Sequence, residues 1–195
     1  MSLGVMHSAY FLDTAIVSIL SMAKDGTSIE VSLVGDEGVI GLPIILRSHG
    51  LPYRIIAQGP GVAWRMKADL FRKEFDRCGS LHKFVLHYAH TLIVQLSQSS
   101  ACNAFHTIQQ RLCRWLLTAQ DRARSPEITS TQEFLSQMLG VNRGSASQAA
   151  STLQRAGLIR YRRGRITILN RSGIEAAARE CYRIVRFEFE RFFRA

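Results

Sequence analysis

The sequence predicts an α+β chain made of an N-terminal β-roll, one long helix and a C-terminal winged helix-turn-helix. Three observations predict it. Up to residue 66, β-branched runs recur between Gly-rich turns. Leu81, Val85, Tyr88 and Leu92 then follow a 4-3-4 apolar spacing. From Ile128 to Leu169, two short helical patterns meet at one Gly-containing corner and lead into an alternating hairpin. The chain has 195 residues, 47% hydrophobic and 21% charged, a globular composition that excludes a disordered tail or a collagen-like fibre. No apolar run reaches the roughly 18 residues that a membrane-spanning helix needs.

Ala15 to Met22 and Ser28 to Val34 read as strands joined by a hairpin turn at Lys24-Asp25-Gly26. Tyr53 to Gln58 and Val62 to Met66 read as further strands around Gly59-Pro60-Gly61, and ADLFRKEFDRC opens a short helix. Several short strands with Gly-rich turns suggest a roll or small barrel. The 4-3-4 residues form an a/d-like seam that two helices could share, so Leu81, Val85, Tyr88 and Leu92 are the expected dimer interface. The alternative is that this helix packs on its own roll. The seam fades at Gln95 and Ser97 to Ser100, where small polar residues suggest a hinge. In the next helix Phe105, Ile108, Leu112, Trp115, Leu116 and Ala119 mark one apolar face, ended by Arg122 to Pro126.

Ser130-Thr131-Gln132-Glu133 fits a capping box with Ser130 as the cap, opening the helix TQEFLSQMLG. Only Val141 separates Gly140 from Asn142, a good N-cap for NRGSASQAASTLQRAG. So tight a corner makes a helix-turn-helix, with Phe134, Leu135 and Met138 set under Ala146, Ala149, Ala150 and Leu153. In LIRYRRGRITIL, Ile159 and Tyr161 alternate with Arg160 and Arg162, Arg163-Gly164 turns, and Ile166 and Ile168 return, which makes a wing. The predicted organisation is a roll over 1–78, a dimerisation helix and hinge over 79–100, the winged helix-turn-helix over 101–170 and a terminal helix over 171–195. That last helix presents Ala178, Cys181, Tyr182, Val185, Phe189 and Phe192 along one face, with Phe187 and Phe193 beside it.

The net charge of +10 is uneven. Residues 1–100 hold nine Lys and Arg against eight Asp and Glu; residues 101–195 hold sixteen, all Arg, against seven. No acidic residue occurs from Phe134 to Ile174, a stretch that contains Arg143, Arg155, Arg160, Arg162, Arg163, Arg165 and Arg171. A planar guanidinium grips phosphate oxygens or a guanine edge bidentately, so a polyanion partner is expected for the second half. Charge alone would also suit RNA or an acidic membrane surface. The helix-turn-helix narrows this to duplex DNA. Arg143 and Gln148 can bond base edges, and Gly144 leaves room for close approach. Thr131, Asn142, Ser145, Ser147, Arg160, Arg162, Arg163 and Arg165 are the expected phosphate contacts.

These features together resemble the cyclic-AMP receptor protein/fumarate–nitrate regulator (Crp/Fnr) superfamily of bacterial transcription regulators. The resemblance spans nearly the whole chain and is strongest over TQEFLSQMLGVNRGSASQAASTLQRAGLIRYRRGRITIL. It implies a homodimer that places one recognition helix per subunit in the major groove of a two-fold symmetric site, with double-stranded DNA and RNA polymerase as partners. It matches Arg143 to the family's first base-contacting arginine. Gly144 stands where many members have Glu, and Gln148 where many have Arg, so a different half-site preference is expected. The resemblance also implies a cyclic-nucleotide cassette with a Gly-Glu pair and an Arg-Ser/Thr pair. Here Leu42 and Pro43 follow Gly41, the phosphate position falls near Leu51-Pro52-Tyr53, Arg54 lies beyond it, and Glu37 lies too early to substitute. No cofactor is therefore expected, cyclic nucleotide included, and the effector is unknown. Family members carry a further helix and strands before the point where this chain begins, so the roll is expected to be incomplete, with exposed sheet edges.

His82, His87 and His90 cluster on the long helix without further ligands, so no metal site is expected. Four cysteines without CxxC spacing read as unremarkable reduced thiols, and together with an opening that lacks an export leader they point to the cytoplasm. No GxSxG, HExxH or P-loop occurs, so no enzyme is expected. Two other readings remain: a ligand-responsive interaction module that binds nucleic acid loosely, and a membrane-surface protein acting through its basic aromatic terminal helix.

Overall fold

The computed structural model describes residues 4–48 and 51–194, with side chains described to Phe192; the Phe193 side chain, part of the terminal face expected above, lies outside what is described. Six strands form the roll: β1 (Ser8–Leu12), β2 (Val17–Met22), β3 (Ser28–Val34), β4 (Val39–Ile40), β5 (Tyr53–Ala57) and β6 (Ala63–Lys67). They make two three-stranded antiparallel sheets, ordered β4-β1-β6 and β3-β2-β5. Apolar residues of β1 to β4, namely Ala9, Leu12, Val17, Val34, Val39 and Ile40, are buried and pack with Ile44 and Phe71. Ile44 lies on the short α1 (Leu42–Ile45) and Phe71 on α2 (Ala68–Asp76).

Helix α3 (Ser80–Phe105) runs unbroken through Ser97 to Ser100, where a hinge is expected. Ser99 is buried, and the Gln95 amide accepts from Ser32 Oγ at 3.2 Å and donates to the Leu33 carbonyl at 3.1 Å. The expected dimer seam is corrected as well. Val85 and Tyr88 are 1% exposed within a single chain, and Leu81 and Leu92 pack on the same roll core. The seam thus faces the chain's own roll, because α3 carries two apolar stripes and this one is nearer the sheet.

Phe105 ends α3 and is exposed, rather than opening the next helix. Helix α4 (Ile108–Ala123) begins at a Thr107–Gln110 capping box and ends with Arg124 in the left-handed region at φ 49°. The terminal region holds two helices where one was expected, α7 (Arg171–Ala177) and α8 (Arg179–Arg194), separated where Arg179 adopts φ 59°. The α8 face expected to be apolar is consumed inside the chain. Ala178, Cys181, Tyr182 and Val185 are buried, Phe189 lies 5.0 Å from the Arg122 guanidinium, and Phe192 packs on Phe84 and His87. Ile184 and Phe187 stay exposed on α8, and among the described residues no helix is long and apolar enough to cross a membrane.

The second core gathers α4 and the C-terminal elements but also includes Leu20 and Leu33 from the roll. At this junction Arg122 pairs with Glu37 at 2.7 Å, both largely buried, and Glu37 also accepts from the Gly35 N–H. A second buried carboxyl, Glu30, accepts from Ser18 Oγ at 2.7 Å and Gln58 Nε2 at 3.2 Å. Burial pushes Glu30 up to about 7, against the opposing pull of the Ser18 hydrogen bond and the Arg114 charge.

The folded chain therefore keeps a proton on Glu30 that the unfolded chain releases near its ordinary value of 4.5. Stability conferred by that proton is lost as pH rises from about 4.5 to about 7. Glu30→Gln keeps a neutral acceptor there at every pH. Urea unfolding is expected to show the variant equal to the native chain at pH 5 and more stable by about 1–3 kcal/mol at pH 8. A native chain with the same stability at both pH values would contradict the assignment.

Candidate nucleic-acid interface

Three elements converge on one surface: α5 (Gln132–Leu139), α6 (Arg143–Arg155), and the wing of β8 (Ile159–Arg162) and β9 (Arg165–Ile168), to which β7 (Glu127–Thr129) adds a third strand. Thr131 caps α5, its Oγ accepting from Phe134 N at 3.1 Å. Ser130, the expected cap, is instead buried, its N–H donating to the Gly164 carbonyl and its own carbonyl accepting from Tyr161 Oη at 2.9 Å. The cap moves one residue on and becomes a single bond instead of a box, because Ser130 ties the wing to α5 and Phe134 stands at N3.

Gly140 ends α5 in the left-handed region at φ 60°, and Asn142 caps α6 by accepting from Ser145 N at 2.8 Å. A Cβ at Gly140 would lie 2.8 Å from the Ile29 side chain, so this corner tolerates neither a side chain nor an ordinary backbone conformation. Beneath it Leu135, Met138, Ala146, Ala149, Ala150 and Leu153 are all buried, with Phe134 edge-on to Trp115. The alanines let the two helices cross closely, which fixes how α6 projects.

Arg143, Gly144 and Gln148 are exposed on α6, whereas Ser145 and Ser147 are half-buried. Helical spacing adds two residues that sequence reasoning missed. Ser151 and Arg155 are exposed and fall on the line of Gly144 and Gln148, at i+7 and i+11 from Gly144. A Cβ at Gly144 would press to 3.3 Å from the capping Asn142 Oδ1, so glycine also protects the cap.

The wing places Ile159, Ile166 and Ile168 inward and Arg160, Arg162 and Arg165 outward, with Arg163 at the turn in the left-handed region at φ 51°. Arg160, Arg162, Arg163 and Arg165 line one cleft with Glu127, and Arg163 also borders a second cleft with Thr131, Arg143 and Tyr161. Among the described residues no carboxylate pairs with Arg143, Arg155, Arg160, Arg162 or Arg163; Arg165 meets Glu127 at 3.5 Å. Arg171, by contrast, is structural. It bonds Gln120, Asp121, Glu175 and Tyr182.

The remaining candidates separate. His82 stacks on Phe75, His87 meets Phe192 edge-on, and His90 lies 3.5 Å from Glu188, so the three histidines serve packing. Arg54 is exposed on β5.

Residues 110–177 match the Crp-like helix-turn-helix domain. No curated protein is significantly similar to the chain. Among solved structures, a CRP-family transcriptional regulator of Thermus thermophilus superposes with a TM-score of 0.73 at 21% identity over 88% of each chain. FixK2 from Bradyrhizobium japonicum gives 0.73 at 16% identity over 88% of this chain and 87% of its own. The c-di-GMP-responsive regulator CLP of Xanthomonas campestris gives 0.69 at 13% identity over 83% and 84%. The chain therefore carries a Crp-like helix-turn-helix domain over residues 110–177, on the fold that these regulators share.

Proposed function

We propose that the chain reads a two-fold symmetric duplex site as a homodimer, with α6 in the major groove. The observation that carries this is the exposed, acid-free face of α6 beside the Arg163 turn. Arg143 and Gln148 read base edges, and Ser151 and Arg155 extend the same face along the groove. The first N–H groups of α6 meet a phosphate together with the helix dipole. Thr131 and Asn142 spend their acceptor oxygens on the caps, which leaves the hydroxyl proton and the amide N–H groups to donate to the backbone.

A second stripe on α3 suits the dimer. Leu86, Ala89, Ile93 and Leu96 recur with 3-4-3 spacing on the side turned away from both the roll and α8, and Leu86 and Ile93 are 51% and 61% exposed. Paired there, two chains would present recognition helices to half-sites about 34 Å apart. The roll interior is closed by apolar packing and Leu42 replaces the cassette carboxylate, which supports a chain that responds to no cyclic nucleotide.

Selection of bound sites from random duplexes is the direct test: an inverted repeat is expected, and enrichment of no motif would leave only loose nucleic-acid binding. Arg143→Ala should cost about 1–3 kcal/mol and relax preference at one base pair. Arg163→Gly should weaken every sequence alike and lower the salt slope by about 1, while folding stability moves by less than about 1 kcal/mol, because glycine relieves the left-handed conformation. Ile93→Glu should yield a folded monomer in analytical ultracentrifugation; a dimer that persists would move the interface elsewhere.

A further inference from the structure

Where α3 ends, the returning α8 completes a cluster that no part of the DNA-binding reading uses. Cys102 lies in the last turn of α3, His106 caps that helix, and Cys181 comes from the first turn of α8. His106 Nδ1 is 3.4 Å from Cys102 Sγ and 3.5 Å from Cys181 Sγ, and the three atoms all lie within 4.8 Å of one another. Both sulfurs are buried and the ring is half-buried. On the far side of the ring, His106 Nε2 is 3.3 Å from Glu180 Oε1. We propose that Cys102, His106 and Cys181 form a binding site for one zinc ion per chain.

Three features favour metal over ordinary packing. A tetrahedral ion with bonds of about 2.3 Å to sulfur and about 2.0–2.1 Å to nitrogen requires ligand N···S separations of about 3.6 Å. Both observed separations fall within a few tenths of that value. Second, Glu180 holds the opposite ring nitrogen, the arrangement that fixes a liganding imidazole in one tautomer and turns its free lone pair inward. Third, an oxidant-sensing thiol is usually exposed, whereas both of these sulfurs are buried. Two sulfurs and one nitrogen suit a borderline-soft d¹⁰ ion, with water as the fourth ligand. Loading forms two S–Zn bonds and one N–Zn bond and releases two thiol protons to solvent, with no change of oxidation state. The site joins the end of α3 to α8, so an ion there would pin the C-terminal helix to the dimer-helix end.

The test uses the full chain, reduced and stripped with a chelator, then titrated with Co²⁺ and with Zn²⁺ in competition. One equivalent per chain is expected, with a thiolate-to-cobalt charge-transfer band and the intense visible bands of a tetrahedral ion, bleached when Zn²⁺ is added. Cys102→Ser and Cys181→Ser should each lower affinity by at least about 100-fold and weaken the charge-transfer band. Glu180→Gln, at an exposed carboxylate, should retain the fold and lower affinity by about 10–100-fold. Substituting the exposed Cys78 with serine should change nothing. The proposal is overturned if reduced native protein takes up no cobalt, or if its spectrum lacks sulfur ligation. It is equally overturned by a Glu180→Gln chain that binds as tightly as the native one, or by a Cys102–Cys181 disulfide that forms in place of metal uptake.

Discussion

The Gly140 corner governs the C-terminal half. Its left-handed backbone ends α5, lets the Val141 N–H return to the Ser136 carbonyl, and leaves one residue before Asn142 starts α6. The same corner presses against Ile29 of the β2–β3 hairpin, with no space for a Cβ. One backbone conformation therefore sets the angle of α6 and docks the module on the roll. Leu20 and Leu33 complete this contact by entering the core built around Leu112, Trp115 and Leu116. Each such side chain contributes about 1.5–3 kcal/mol when buried, so turning the module away from the roll would expose a costly surface.

How much of this the sequence revealed depended on how local the signal was. The corner, the Asn142 cap and the wing were readable because glycine, a capping side chain and period-two alternation act over a few residues. The fold and its Crp-like helix-turn-helix domain followed from placing those three in order. β1 and β4 were missed because SAYFL is short and its pairing partner, β6, lies more than 50 residues away. On α3 the periodicity was read correctly but assigned to the wrong surface. Leu81-Val85-Tyr88-Leu92 and Leu86-Ala89-Ile93-Leu96 are both a/d-like, and spacing does not say which stripe meets the chain's own sheet. Cys102, His106 and Cys181 carried no usable pattern, since Cys181 lies 75 positions beyond His106.

The arginine count likewise needed the structure to acquire meaning. Arg122 pairs with Glu37, Arg124 with Asp36, Arg111 donates to the Leu139 carbonyl at the end of α5, and Arg171 binds four partners. Those guanidiniums hold elements together and contribute little to a DNA-facing field, because their charge is met within a few ångströms. Arg143, Arg155, Arg160, Arg162 and Arg163 meet no carboxylate among the described residues and project from α6 and the wing. The usable positive surface is thus smaller than the formal charge suggests, and it is concentrated where a groove would lie.

Helix α8 decides whether the two halves can shift. Its Tyr182 bonds Asp121 of α4 at 2.8 Å and joins the Arg171 network, and Phe189 lies on Arg122 at the end of α4. Further along, Glu188 reaches His90 and Phe192 packs on Phe84, both on α3. The helix therefore spans the α3–α4 junction as a strut with contacts at both sides. Rotation of the helix-turn-helix about that junction carries Tyr182 with α4 while Phe192 is held by α3, so one set of contacts must break first. The α4 side is polar and charge-assisted; the α3 side is aromatic at Phe192, beside the His90–Glu188 pair, and at the start of α8 also sets Cys181 and Glu180 against Cys102 and His106. Sliding the Phe192 end leaves no buried charge unpaired, whereas parting Tyr182 from Asp121 and Arg171 does, so the aromatic end of α8 is the one expected to yield.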